Sequence, residues 1–148
     1  MATGNPLIDQ GILNRIRASV TWANFPNLNV TAPFLDRDGI TLRKEGDATT
    51  QHPTMTGVVQ SPEVFMPVSL VIALLRTQAL SSSYQTQMQA TTILGQGTVF
   101  PDVSTGLAPY VLYNMAIQTV GELILNGTTP IWAVTCRGYW PINNNLFA

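Results

Sequence analysis

The chain has 148 residues, room for one domain with one sizeable core, and its hydrophobic fraction of 45% argues against general disorder. Only 10% of the residues are charged and the formal net charge is -1, which excludes a strong phosphate-binding surface built from clustered Lys and Arg. A single cysteine, Cys136, excludes an intramolecular disulfide and a Cys-rich metal site, and fits folding in a reducing compartment.

The N-terminal stretch from Met1 to Gly11 has no basic region followed by an apolar core, so no secretory signal is expected. From Arg15 to Trp22, polar Arg15, Arg17, Ser19 and Thr21 alternate with apolar Ile16, Ala18, Val20 and Trp22, which predicts a half-buried strand with one wet face. Leu28–Ala32 and Gly39–Leu42 are shorter strand candidates, separated by the turn signal Asp36-Arg37-Asp38-Gly39. Asp36, Arg37, Asp38, Arg43, Lys44, Glu45 and Asp47 then place seven of the fifteen charges in twelve residues. With the non-periodic run through Pro53, this predicts an extended charged loop over about 36–53. It is either a solvated surface loop or an arm that docks on a neighbouring subunit, its alternating charge setting register.

Met55–Gln60 and Val64–Leu75 read as two strands of a hairpin, with Ser61-Pro62-Glu63 at the turn. The second is apolar on both faces from Val68 to Leu75, as a central strand would be, and Pro67 should lie at its entrance or at a bulge. Its apolar run is too short to span a bilayer as a helix, so no membrane segment is expected. Leu80, Tyr84 and Met88 at i, i+4 and i+8 predict one helix over about 79–91, with Ser82 and Gln85 in capping-box spacing and Gly95 as a stop. Gly95 to Pro109 reads as a Gly/Pro-rich connection. Strand signals return over Tyr110–Val120, Glu122–Leu125 and Ile131–Trp140, with a turn at Asn126-Gly127. The whole predicts a mainly β, sandwich- or barrel-like single domain over 1–148, with long hairpins and one short helix.

Charge nearly vanishes after Thr77: the remaining acids and bases are Asp102, Glu122 and Arg137. A soluble monomer ordinarily carries about a quarter charged residues and uses them to stay dispersed. Surface covered by other copies of the chain would remove that need, which points to an assembly subunit.

No catalytic group is expected. His52 is the one histidine, set before a proline in the charged segment, and Cys136 falls inside a predicted strand, so a Cys-His pair has little to recommend it. Asp36-x-Asp38-Gly39 matches the start of a calcium loop but lacks the later acids, and an Asp-stabilised turn explains it; no metal site follows. Gly95-x-Gly97 lacks the rest of a phosphate loop, and no cofactor is expected. Trp22, Trp132, Tyr139 and Trp140 are either sheet packing or a sugar-stacking platform of a carbohydrate-binding β-sandwich.

Two runs carry a resemblance to a known family: Tyr110 through Leu123, a Tyr/Asn-rich strand, and Ile124 through Tyr139, a turn followed by a Trp-Ala-Val-Thr strand. With the hairpin over Met55–Leu75, the helix after it and the opening Gly4–Arg15, the chain resembles the tail tube proteins of long-tailed bacteriophages, especially contractile-tailed ones. That resemblance implies hexameric rings that stack into a hollow tube, a continuous β-barrel closed by strands from all copies, and DNA passing through the lumen. It implies tail sheath, baseplate, tail terminator and tape measure proteins as partners, and a place in the virion tail after assembly in the bacterial cytoplasm. A tail terminator or baseplate ring is the alternative within the same resemblance. The charged segment would then contact the adjacent ring, and deleting Arg37–Gln51 would leave the fold intact but stop ring stacking.

Overall fold

A computed structural model describes residues 18–101 and 108–146. The opening Gly4–Arg15, the start of the predicted first strand through Arg17, and Asp102 lie outside the described residues. Eight strands and one helix follow in chain order: β1 (Ser19–Trp22), β2 (Leu35–Lys44), β3 (Thr49–Pro53), β4 (Val58–Pro62), β5 (Phe65–Leu75), α1 (Ala79–Ala90), β6 (Ile93–Phe100), β7 (Tyr110–Val120) and β8 (Ile131–Pro141). Six of the strands form one antiparallel sheet in the order β1-β6-β7-β8-β5-β2, while β3 and β4 pair as a separate hairpin. The sheet curls, bringing Ile40 and Leu42 of β2 across a cleft from Ala18 and from Val99 and Phe100 of β6. The architecture is therefore mainly β and barrel-like, as expected.

One face of the sheet makes the core. Val20 and Trp22, Val68, Leu70, Ile72 and Leu74, Leu112, Met115 and Ile117, and Val134 and Cys136 are all buried, each set spaced by the two-residue period of its strand except where β7 is bulged. Helix α1 closes this face, packing against β5, β7 and β8 through Leu80 and Tyr84 with Met88 half-buried. The i, i+4, i+8 stripe thus meets the sheet as predicted. The predicted capping box does not form. The helix begins after Gln78, four residues before Ser82, whose hydroxyl donates to the Ala79 carbonyl at 2.8 Å instead.

A buried hydrogen-bonded chain ties three distant segments together. The Trp22 indole N–H donates to the Tyr84 hydroxyl at 2.9 Å, and that hydroxyl donates to the Leu28 carbonyl at 2.6 Å. Leu28 sits in a short 3-10 turn (Pro26–Leu28) rather than a strand, and of the predicted Leu28–Ala32 strand only Val30 bridges to Val20.

The predicted loop over 36–53 is instead two strands. Residues Ile40–Lys44 pair with Val68–Ile72 on β5, because Ile40 and Leu42 alternate toward the core. The turn signal Asp36-Arg37-Asp38-Gly39 appears as a bulge: Leu35 pairs with Leu74 and Ile40 with Ile72, leaving four residues opposite Ala73, with Gly39 at φ +65°. Deleting Arg37–Gln51 would remove most of β2 and of β3, so the fold would not survive it. Val58–Pro62 pairs with Thr49–Pro53, not with the strand that follows, so β5 is free to sit between β2 and β8. Pro67 is tolerated near the start of β5 because its missing N–H would face the same side as its carbonyl, which accepts from Glu45 beyond Lys44↔Val68, the last pair with β2, so no ladder bond is lost.

The Gly95–Gly97 stretch, expected as connection, lies within β6. Gly97 faces Trp22 across the strands so closely that a Cβ there would come within 2.6 Å of the indole ring, and Gly95 (φ +80°) occupies a register shift. Glu122–Leu125, expected as a strand, is unpaired chain within the β7–β8 connection.

Candidate assembly surfaces

The face of the sheet opposite α1 is uncovered among the described residues. Strand register places on it Thr41 and Arg43 of β2, Ser69, Val71 and Ala73 of β5 (Ser69 and Ala73 buried among their neighbours), Ala133, Thr135 and Arg137 of β8, and Ala116 and Thr119 of β7. These side chains are small or neutral apart from the two arginines. Arg43 and Arg137 flank Ser69 in register, and Arg137 Nη2 reaches Glu45 Oε2 at 2.6 Å in an exposed ion pair. At one end the face turns aromatic: Tyr113 stacks on Tyr139 with centroids 6.0 Å apart, and Phe65 meets Tyr139 edge-on at 5.6 Å. All three rings are exposed by more than a third.

The hairpin β3–β4 stands off the sheet. Its root is pinned by the Glu63 N–H to the Ala48 carbonyl at 2.9 Å and the Asn143 side-chain amide to the Glu63 carbonyl at 2.7 Å. Its tip is closed by Thr54 and Gly57. Beyond the root the ribbon is exposed on both faces, with Met55 wholly exposed and Val58 and Val59 more than half exposed. A lone two-stranded hairpin is marginal in water, and this one presents Met55, Val58 and Val59 with nothing packed on them among the described residues.

The seven predicted contact residues do not form one arm. Asp36, Arg37 and Asp38 lie at the bulge, Arg43 and Lys44 at the opposite end of β2, and Glu45 and Asp47 in the link to β3. Lys44 turns inward, its ammonium 5.0 Å from the Tyr110 ring centroid and 4.8 Å from that of Trp140. Sequence reasoning missed the apolar hairpin, because it divided β3 and β4 between a loop and a different hairpin. The exposed Val58-Val59 pair was the available signal.

The aromatic residues considered as a sugar platform are dispersed. Trp22 is buried against Tyr84, Trp132 is buried with its indole N–H donating to the Gly121 carbonyl at 2.8 Å, and Trp140 packs edge-on to Tyr110 under Lys44. Tyr139 points to the other face of β8 from Trp132 and Trp140. His52 is exposed on the hairpin, whereas Cys136 is fully buried in β8, where burial pushes its thiol up to about 12. The two are not brought together. No helix among the described residues is long and apolar enough to cross a membrane.

No protein-family model and no curated protein matches the chain. Among solved structures it is similar to an anti-feeding prophage cap, described as the tube terminating cap. That likeness has 12% identity and a TM-score of 0.46, and covers 94% of this chain and 93% of the other. At this identity and score the likeness assigns neither a family nor a role.

Proposed function

We propose that the chain is a structural subunit of a phage-tail-like particle, one that self-assembles into rings and stacks them into a hollow tube. The observation that carries this reading is the β3–β4 hairpin, a mostly polar ribbon exposed on both faces that holds Met55, Val58 and Val59 out where a second copy would cover them. The neutral uncovered face of the sheet supports it. Thr, Ser, Ala and Val with few charges suit the wall of a wet channel through which a polyanion passes without being held. The sequence resemblance to tail tube proteins supplies the rest: six copies per ring, DNA as transient cargo, and sheath, baseplate, terminator and tape measure as partners. The subunit has no catalytic role in this reading.

The hairpin root shows how to test it. Because the Ala48 carbonyl and the Glu63 N–H are already bonded, Thr49–Pro62 can be replaced by two glycines without moving β2 or β5. Electron microscopy of the wild-type protein at rising concentration should show rings that stack into long hollow filaments. The excised variant should fold and fail to stack. Rings that form and never elongate would indicate a terminator or baseplate ring, and a wild type that stays monomeric would overturn self-assembly.

A further inference from the structure

The connection between β7 and β8 holds an exposed apolar segment without a partner. Glu122-Leu-Ile-Leu125, expected as a strand, pairs with nothing among the described residues and is exposed throughout, Leu125 by 76%. It is not a fraying tip. On one side the Gly121 N–H bonds the Ala133 carbonyl at 2.7 Å. On the other, Arg76 Nη2 donates to the Asn126 carbonyl at 2.7 Å, and Asn126 Oδ1 accepts from the Thr128 and Thr129 N–H groups. The segment is thus held between two pins, with Leu123 partly sheltered beside Met88 and Trp132 and Leu125 standing out, and part of the entropy of ordering it is already lost.

The same chain carries an acceptor for such a segment. Of the two edges of the six-stranded sheet, β1 is blocked, since Val20 and Val30 exchange both backbone hydrogen bonds and Asn29 Oδ1 takes the Trp22 N–H. The far side of β2 is bonded by no other described segment. Along it runs the cleft of about 310 Å³ where the sheet stops short of closing, lined by Ile40, Leu42, Val99, Phe100 and Tyr110, with Lys44 at its end. An exposed edge of this kind invites another strand.

We infer that Glu122–Leu125 of one copy adds as a strand to the free edge of β2 in a second copy. This rests on the self-assembly reading and names the surfaces that join. The two-residue period sends Leu123 and Leu125 to one face, into the cleft beside Ile40 and Leu42. It sends Glu122 and Ile124 to the other face, where Arg43 is exposed and makes no ion pair among the described residues. Charge is therefore complementary as well as shape. Donor and acceptor lie on different parts of the chain, so the contact is head-to-tail, the kind that closes into a ring or runs on as a filament.

Light scattering across a concentration series tests the pairing, with far-UV circular dichroism as the check on folding. Glu122→Arg and Arg43→Glu should each raise the concentration for half-assembly about tenfold. Mixing the two variants should largely restore it, because when they alternate every junction is either native or charge-reversed. Leu123→Asp with Leu125→Asp, in an exposed connection that the core does not use, should weaken association about a hundredfold or more. If the wild type assembles and all these variants assemble equally well, the pairing is wrong and self-assembly stands. A wild type that stays monomeric removes both.

Discussion

Replacing Tyr84 by Phe should destabilise the fold far more than the loss of one oxygen suggests. The hydroxyl accepts from the Trp22 indole at 2.9 Å and donates to the Leu28 carbonyl at 2.6 Å, and Tyr84 and Leu28 are wholly buried with Trp22 at 3% exposure. The phenyl ring would fill the same space, so the packing term is almost unchanged. What changes is that a buried N–H and a buried carbonyl lose their partner at once, each costing about 1–3 kcal/mol. We expect about 2–4 kcal/mol in total, a large part of the roughly 5–15 kcal/mol that holds a domain folded. Urea unfolding followed by tryptophan fluorescence should show a lower midpoint with an unchanged slope. A cycle with Trp22→Phe should give a coupling of about 1 kcal/mol or more, since the two side chains share one bond. A Tyr84→Phe loss below about 0.5 kcal/mol, or strict additivity, would refute the claim that this chain of bonds ties α1 to β1 and the Pro26–Leu28 turn.

Gly97→Ala should cost about 1–3 kcal/mol and redshift Trp22 fluorescence, because the new methyl group would press on the indole ring from 2.6 Å; wild-type stability would show that Trp22 moves aside freely. Burial raises the Cys136 thiol from its ordinary 9.0 to about 12, so the folded state keeps a proton that the unfolded state loses first. That contribution is complete below pH 9 and is lost as pH rises toward 12, with a slope of up to about 1.4 kcal/mol per pH unit. Between pH 9 and 10, before the hydroxyl of buried Tyr84 (ordinary value 10.0) adds a loss of the same sign, stability should fall less steeply in Cys136→Ala than in the wild type. Equal slopes in denaturant titrations would contradict this.

Where periodicity spoke clearly, the chain could be read directly. Leu80, Tyr84 and Met88 marked the helix, Tyr110–Val120 and Ile131–Trp140 marked two long strands, and Val20 and Trp22 marked the buried side of β1. Pairing was not legible. The charged run from Asp36 to Asp47 looked like loop because a bulge hid its phase, yet Ile40 and Leu42 anchor it to β5. Gly95 and Gly97 looked like linker because the reason for Gly97, the Trp22 ring lying against it, is a contact between residues far apart in the chain. Glu122–Leu125 looked like a strand from its apolar run, yet it pairs with no strand among the described residues and is unpaired chain.

The assembly surfaces divide in the same way. Scarcity of charge after Thr77 could be counted from the residues alone, and it already argued for a surface covered by other copies. Which surfaces the proposed assembly would use depended on pairing across long sequence separations. β5 takes β2 and β8 as neighbours, leaving β3 and β4 to one another and the far edge of β2 unpaired among the described residues. Local composition sets which face of a strand is buried, because side chains alternate with the backbone. It cannot set which strand lies alongside, because every strand offers the same hydrogen-bonding groups to all the others.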